Sequence, residues 1–204
     1  NTCGAGYNSI RFDDEFTRFT LYRNFYDPYA REWQNGNSRW DLIDVVRLCA
    51  ALRPEGINWP MREGGTPSFK LEELSAANGL EHESAHDALS DVIATIDLAR
   101  LIKFKQPKLF EYAMKMRKKQ AVQQTLDVFS QKPVFHVSGK IPAAKHCSAL
   151  MMPLTQHPVN KNATICFDLS QDPSDLIKLD VEGIAKRFYV ANADLKEGES
   201  RIAL

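Results

Sequence analysis

Two short stretches of this chain carry the residue types from which hydrolytic chemistry is built. The first is Phe12-Asp13-Asp14-Glu15, three carboxylates in a row behind the apolar approach Tyr7-Asn8-Ser9-Ile10-Arg11. The second is His86-Asp87-Ala88-Leu89-Ser90-Asp91, a histidine followed by acids one and five residues on. Trp40-Asp41 is a third spot. Each has a structural reading beside the chemical one. Acids at the start of a helix are favoured by its dipole, Ser84-x-x-Asp87 has the form of a capping box, and Asp41 is placed to begin a helix. The capping pattern accounts for Asp87. It leaves His86 and Asp91 over, the latter a charge in the second turn of a helix whose other positions read as a wide apolar stripe.

Separated carboxylates with one histidine fit a magnesium-type site better than a zinc site. Hard divalent ions prefer carboxylate oxygens and water, and two of them can clamp the attacking and leaving oxygens of a phosphodiester. A nearby histidine can orient or deprotonate the attacking water. On a regular helix five residues turn through about 140° net, so His86 and Asp91 converge only if His86 sits at or before the first turn.

The elements that must position these groups follow from periodicity. Phe16, Phe19 and Tyr22 fall near one face of a helix over residues 14–25. A second helix is expected over Leu42–Leu52 with Val45, Val46 and Cys49 inward, stopping before Pro54. A short one follows Ser68, buries Leu71, Leu74 and Ala77, and ends at Gly79, a left-handed cap. The longest covers residues 85–104, with Ala85, Ala88, Leu89, Val92, Ile96, Ala99 and Ile102 forming a core-facing stripe. Pro107 marks a boundary, and residues 108–126 read as a basic helix. Beyond Pro133 the texture changes: 134–139 and 163–169 look like strands, and Pro142, Pro153 and Pro158 mark connections.

The 204 residues permit one large domain or two small ones, and 44% hydrophobic with 25% charged residues is ordinary for a globular protein. No apolar run approaches the ~20 residues of a membrane-spanning helix. Twenty-six basic residues balance twenty-six acidic ones, so no global field points to a polyanion. Eight basic residues against one acid between Arg100 and Lys119 do suit local phosphate contact. Four scattered cysteines without a C-x-x-C argue against zinc ligation and a disulfide framework, and for reduced thiols in a cytoplasmic setting.

The phrases Gly6-Tyr7-Asn8-Ser9-Ile10-Arg11-Phe12-Asp13-Asp14-Glu15 and Ala85-His86-Asp87-Ala88-Leu89-Ser90-Asp91 resemble the second and third signatures of the DEDD-type 3′→5′ exonucleases, histidine subclass. The text between them, including Tyr22-Arg23-Asn24-Phe25-Tyr26-Asp27-Pro28-Tyr29, Asn37-Ser38-Arg39-Trp40-Asp41-Leu42 and Ala51-Leu52-Arg53-Pro54-Glu55-Gly56-Ile57-Asn58-Trp59-Pro60, resembles the bacterial exonuclease I family. Phe135-His136-Val137-Ser138-Gly139 and His157-Pro158-x-x-x-Asn162-Ala163 resemble its SH3-like second domain. The resemblance implies an α/β ribonuclease-H-like exonuclease domain, N-terminally truncated, over residues 1–106. A basic helix and a mainly β SH3-like domain, incomplete, follow over 107–204. It implies Asp13 and Asp91 as metal-site carboxylates, His86 as general base, and two Mg²⁺ in the complete site. Asp87 falls inside the signature but at no catalytic position.

The family's first signature, an Asp-x-Glu on the first strand, is expected upstream of Asn1, and a helical third domain after Leu204. The chain therefore reads as an internal piece, by itself inactive. Single-stranded DNA is the implied substrate, degraded to 5′-mononucleotides in DNA repair and recombination. Arg18, Tyr29, Trp33 and Arg47 match the DNA-contacting surface, Lys70 a position where the family often has arginine, and Lys119 is a further candidate from the basic helix. A single-stranded-DNA-binding protein, through its acidic tail, is the implied protein partner of a cytoplasmic, nucleoid-associated monomer. The rival readings are a catalytically incomplete single-stranded-DNA-binding fragment, and a proofreading or oligoribonuclease-type exonuclease, which would lack the β domain.

Overall fold

The computed structural model describes residues 1–80, 88–188, 190 and 194. The chain divides into two units, residues 1–122 with 137–148 and residues 123–136 with 149–204.

In the first unit a short strand β1 (Cys3–Gly6) leads through a turn to helix α1 (Asp13–Arg23), then to the single turn α2 (Ala30–Trp33) and strand β2 (Ser38–Asp41). The two strands pair in parallel, Cys3 opposite Ser38 through Gly6 opposite Asp41. Helices α3 (Leu42–Leu52), α4 (Leu71–Ala77), α5 (Ala88–Lys105), α6 (Pro107–Met116) and α7 (Lys119–Thr125), the last running into the second unit, follow.

Helix α3 forms because Asp41, in extended conformation, caps it: the carboxylate accepts from the Ile43 amide at 3.2 Å. Leu42, Val45, Val46 and Cys49 recur at three and four and are all buried, as the periodicity requires. Each such aliphatic side chain contributes about 1.5–3 kcal/mol by leaving water. Leu74, Leu98 and Ile102 complete the core with Trp40, whose indole donates to the Ala113 carbonyl at 3.3 Å and whose ring meets Phe110 edge-on at 5.2 Å. Helix α6 is therefore part of this core. Pro107, read as a boundary, is the first residue of α6, where its missing amide costs nothing. The first unit thus runs past the expected division at residue 106. Gly79, at φ +65°, takes the left-handed conformation expected after α4.

The apolar face of α1, and much of the stripe expected to face the core on α5, are turned outward. Phe16, Phe19 and Tyr22 of α1 are 62–70% exposed. The face of α1 that is held inward carries Asp14 and Arg18, one turn apart and both ion-paired, and Phe16 stands about 200° round from Asp14. On α5 the buried line is Ala94, Leu98 and Ile102, so Leu89, Val92 and Ile96 lie on the other side and are exposed. Of the expected stripe, Ile102 is buried, and Ala85 lies outside the described residues.

The second unit holds a three-stranded sheet in the order β3 (Val134–Val137), β4 (Ser148–Gln156), β5 (Thr164–Asp168), whose first and last strands match expectation. The central strand was not expected, because Pro153 reads as a connection. Its missing amide is accommodated at a bulge: the antiparallel register with β5 shifts between Pro153 and Thr155. Helices α8 (Ser174–Lys178) and α9 (Val181–Phe188) follow, tied by an Arg187–Asp175 ion pair at 2.7 Å. Among the described residues no helix is long and apolar enough to cross a membrane.

Candidate active site

A cavity of about 890 Å³ opens in the first unit at the carboxyl ends of β1 and β2. Asp13 from the start of α1 and Asp91 from the first turn of α5 both line it, as do Tyr7, Asn8, Lys70 and Glu72. Residues 78 positions apart in sequence thus line one cavity. His86 and Asp87 lie outside the described residues.

The turn that delivers Asp13 is fixed from below. Asn8 adopts φ +57°, a left-handed conformation that asparagine tolerates. Its amide donates to Asp41 Oδ1 at 2.7 Å, and the Ile10 amide donates to Oδ2 at 3.1 Å. Asp41 therefore begins a helix, as expected, and also holds the turn. Burial pushes its carboxyl above the ordinary range, against the three backbone amides that favour the charged form. From above, the Tyr7 hydroxyl donates to the Phe69 carbonyl at 2.5 Å, beside Lys70. Burial raises the Tyr7 phenol well beyond its ordinary value.

The three consecutive acids separate into three roles. Asp13 is exposed to the cavity, Asp14 is buried between Arg31 (2.6 Å) and Arg39 (2.5 Å), and Glu15 pairs with Arg18. Glu32, also buried, receives Arg18 through two bonds of 2.8 and 3.0 Å and Arg39 at 3.2 Å. This network of three arginines and three carboxylates has no signature in the sequence. Apart from the Glu15–Arg18 pair within α1, its bonds from α1 reach partners 14 to 25 residues away that share no helical spacing with it.

The residues expected to contact nucleic acid are distributed as follows. Tyr29 and Trp33 are exposed at 54% and 63%. The Arg18 guanidinium lies 5.1 Å over the Tyr29 ring while held by Glu32. Lys70 lines the cavity, with Glu73 at 3.1 Å. Arg47 is largely buried, bonded to Asp44 at 2.8 Å and packed so closely on Gly139 that a Cβ there would come within 2.8 Å of its guanidinium carbon. Lys119 is exposed at the start of α7.

The donors fit a divalent cation in kind, since Asp13 and Asp91 offer the hard carboxylate oxygens that such ions prefer. Among the described residues no three His, Cys, Asp or Glu side chains stand together as a ligand group.

The chain matches two family models in succession, Exonuclease over residues 1–99 and the exonuclease I SH3-like domain over residues 117–204. It is 53% identical over 194 residues to exodeoxyribonuclease I of Escherichia coli, covering 95% of this chain and 41% of that protein. With the Haemophilus influenzae exodeoxyribonuclease I it shares 49% over 205 residues, 100% of this chain and 43% of that protein. Among solved structures, the exonuclease I of Methylocaldum szegediense superposes with a TM-score of 0.93 at 51% identity, over 98% of this chain and 43% of that one. The E. coli exonuclease I in complex with a dA16 oligonucleotide superposes at 0.92 and 51%, over 98% and 42%. The chain spans about two fifths of the length of the curated relatives it matches. With a ribonuclease-H-like exonuclease domain followed by an SH3-like one, it belongs to the exodeoxyribonuclease I family.

Proposed function

We propose that this chain carries the second and third acidic signatures and the SH3-like segment of an exodeoxyribonuclease. The enzyme would degrade single-stranded DNA from the 3′ end to 5′-mononucleotides, in DNA repair and recombination. The observation that supports this most is the opening of Asp13 and Asp91, from opposite ends of the first unit's sequence, onto one cavity. The complexes of E. coli exonuclease I with dA16 and dT13 oligonucleotides support a single-stranded DNA substrate.

In this reading Asp13 and Asp91 hold divalent ions, two Mg²⁺ in the complete site. When bound, such ions supply Lewis acidity and charge neutralisation for in-line displacement at phosphorus. His86 takes a proton from the attacking water as its oxygen bonds to the terminal phosphorus. The bond to the 3′-oxygen of the preceding nucleotide breaks, that oxygen takes up a proton, and a 5′-mononucleotide leaves. Lys70 provides a cation beside the terminal phosphate, as a point charge without the fork an arginine would offer. Tyr29 and Trp33 present ring faces to bases without regard to sequence, and Arg18 and Lys119 are the associated cations, whereas Arg47, bonded to Asp44 and packed on Gly139, offers a phosphate little surface. A phosphate reaching Arg18 has to share it with Glu32.

An ExoI/SSB-Ct complex is known for a relative, and a single-stranded-DNA-binding protein is accordingly the proposed partner of a monomeric, cytoplasmic enzyme. The test is digestion of 5′-labelled single strands by the full-length protein with Mg²⁺. Asp13→Ala and Asp91→Ala should each abolish hydrolysis while leaving oligonucleotide binding in EDTA largely intact. Near-normal digestion by either variant would overturn the assignment.

A further inference from the structure

Asp14 adjoins Asp13 in sequence and also borders the cavity, but both its oxygens are taken up by arginines. The residue is 6% exposed, with Oδ1 on Arg31 and Oδ2 on Arg39. Arg39 is a residue of β2, opposite Gly4 of β1, so the bond to Oδ2 ties the first turn of α1 directly to the sheet. Arg31 reaches the same carboxylate from α2. Arg39 is held in turn by Glu32, which also grips Arg18 four residues along α1. The helix is thus fastened at two points of one face.

The fastening matters because the usual device is absent. Phe12 stands at the N-cap of α1 and offers no side-chain cap. The amides of the first turn have no acceptor from that position to set the rotation of the helix. Successive residues of a helix differ by about 100° in direction. With Asp14 fixed to β2, Asp13 is carried round to the cavity that Asp91 also lines.

We infer that Asp14, clamped by Arg31 and Arg39, is a positioning residue that sets the rotation of the first turn of α1 and so aims the Asp13 carboxylate at its metal ion. The inference rests on the reading of Asp13 as a ligand. Metal affinity then depends on a buried carboxylate whose two oxygens are engaged by arginines.

The test is Mn²⁺ binding to the full-length protein, followed by electron paramagnetic resonance and calorimetry, beside oligonucleotide affinity in EDTA. Asp14→Asn should weaken Mn²⁺ binding by about 10–100-fold, the usual effect of losing a group that orients a ligand from outside the coordination sphere. Oligonucleotide affinity in EDTA should be unchanged. Arg31→Met keeps the Arg39 bond, and should produce a smaller loss in the same direction if Asp14→Asn fails to fold. Val46→Ala, in the core of α3, should lower thermal stability without moving Mn²⁺ affinity. Wild-type Mn²⁺ affinity in both Asp14→Asn and Arg31→Met would overturn the inference, as would an equal loss in Val46→Ala. Wild-type Mn²⁺ binding by Asp13→Ala would instead overturn the ligand assignment itself.

Discussion

The Tyr7 hydroxyl donates to the Phe69 carbonyl across 62 residues of sequence, at 2.5 Å. This bond joins the two sides of the cavity, the turn leading to Asp13 and the segment bearing Lys70. Tyr7→Phe removes one oxygen and keeps the ring. It should cost about 1 kcal/mol in thermal or urea unfolding, the net value of one such bond, or more if the carbonyl is left dry.

The same phenol should report itself by pH. Because burial raises its pKa, the native state keeps a proton that the unfolded chain releases near pH ~10. The contribution is fully present below that pH and declines as pH rises above it. Wild type and Tyr7→Phe should therefore converge in stability above pH ~10. Absorbance titration should show one tyrosine that ionises only on unfolding.

Asp41 combines a helix cap with two contacts to the turn. Asp41→Ala strands the Asn8, Ile10 and Ile43 amides and should cost more than the ~0.5–2 kcal/mol of a lost cap alone. Asp41→Asn should cost less. Since burial raises the native carboxyl's pKa, the wild type loses stability as pH rises from the unfolded value near ~3.9 through the native one. An uncharged amide does not, so the gap between wild type and Asp41→Asn should narrow over that interval in acid-to-neutral denaturation curves.

His86 and Asp87 should separate by function. His86→Ala should lower the hydrolytic rate by about 10²–10⁴-fold, the usual share of a general base. Asp87→Asn should lower it little. Equal losses in a single-turnover digestion would mean that the two roles are exchanged.

Thiol labelling should follow burial. Cys49 has no exposed surface, and burial pushes its thiol up to about 12. It should resist a thiol reagent at pH 8 under native conditions, while Cys3, which is exposed, reacts at once. Mass analysis of the labelled protein locates the modified residues.

Elements whose periodicity matches their burial are legible in the sequence. Helix α3 has the expected bounds and the expected inward residues, because Leu42, Val45, Val46 and Cys49 form a stripe and Asp41 a cap. On α1 the apolar spacing does not tell which side packs, because the aromatics Phe12, Phe16, Phe19, Tyr22, Phe25 and Tyr26 are all exposed. The side that packs is fixed instead by charges whose partners sit on α2 and β2. Strand β4 was hidden by Pro153, since the bulge that admits a proline depends on the partner strand. In the site, Asp13 and Asp91 stand in recognisable phrases and line one cavity. Asp14, Arg31 and Arg39 do not form a phrase at all, and only the folded chain brings them together.

The double duty of Asp41 has a consequence for the order of assembly. Its bond to Ile43 spans two residues and can form as soon as the first turn of α3 nucleates. Its bonds to Asn8 and Ile10 close loops of more than thirty residues and must wait for a larger loss of chain entropy. The helix is thus available as a local seed, and the turn leading to Asp13 is added to it afterwards, by recruitment of an acceptor already in place. During refolding the Ile43 amide should gain protection from exchange before those of Asn8 and Ile10, so that the turn leading to Asp13 is among the last features of this unit to be acquired.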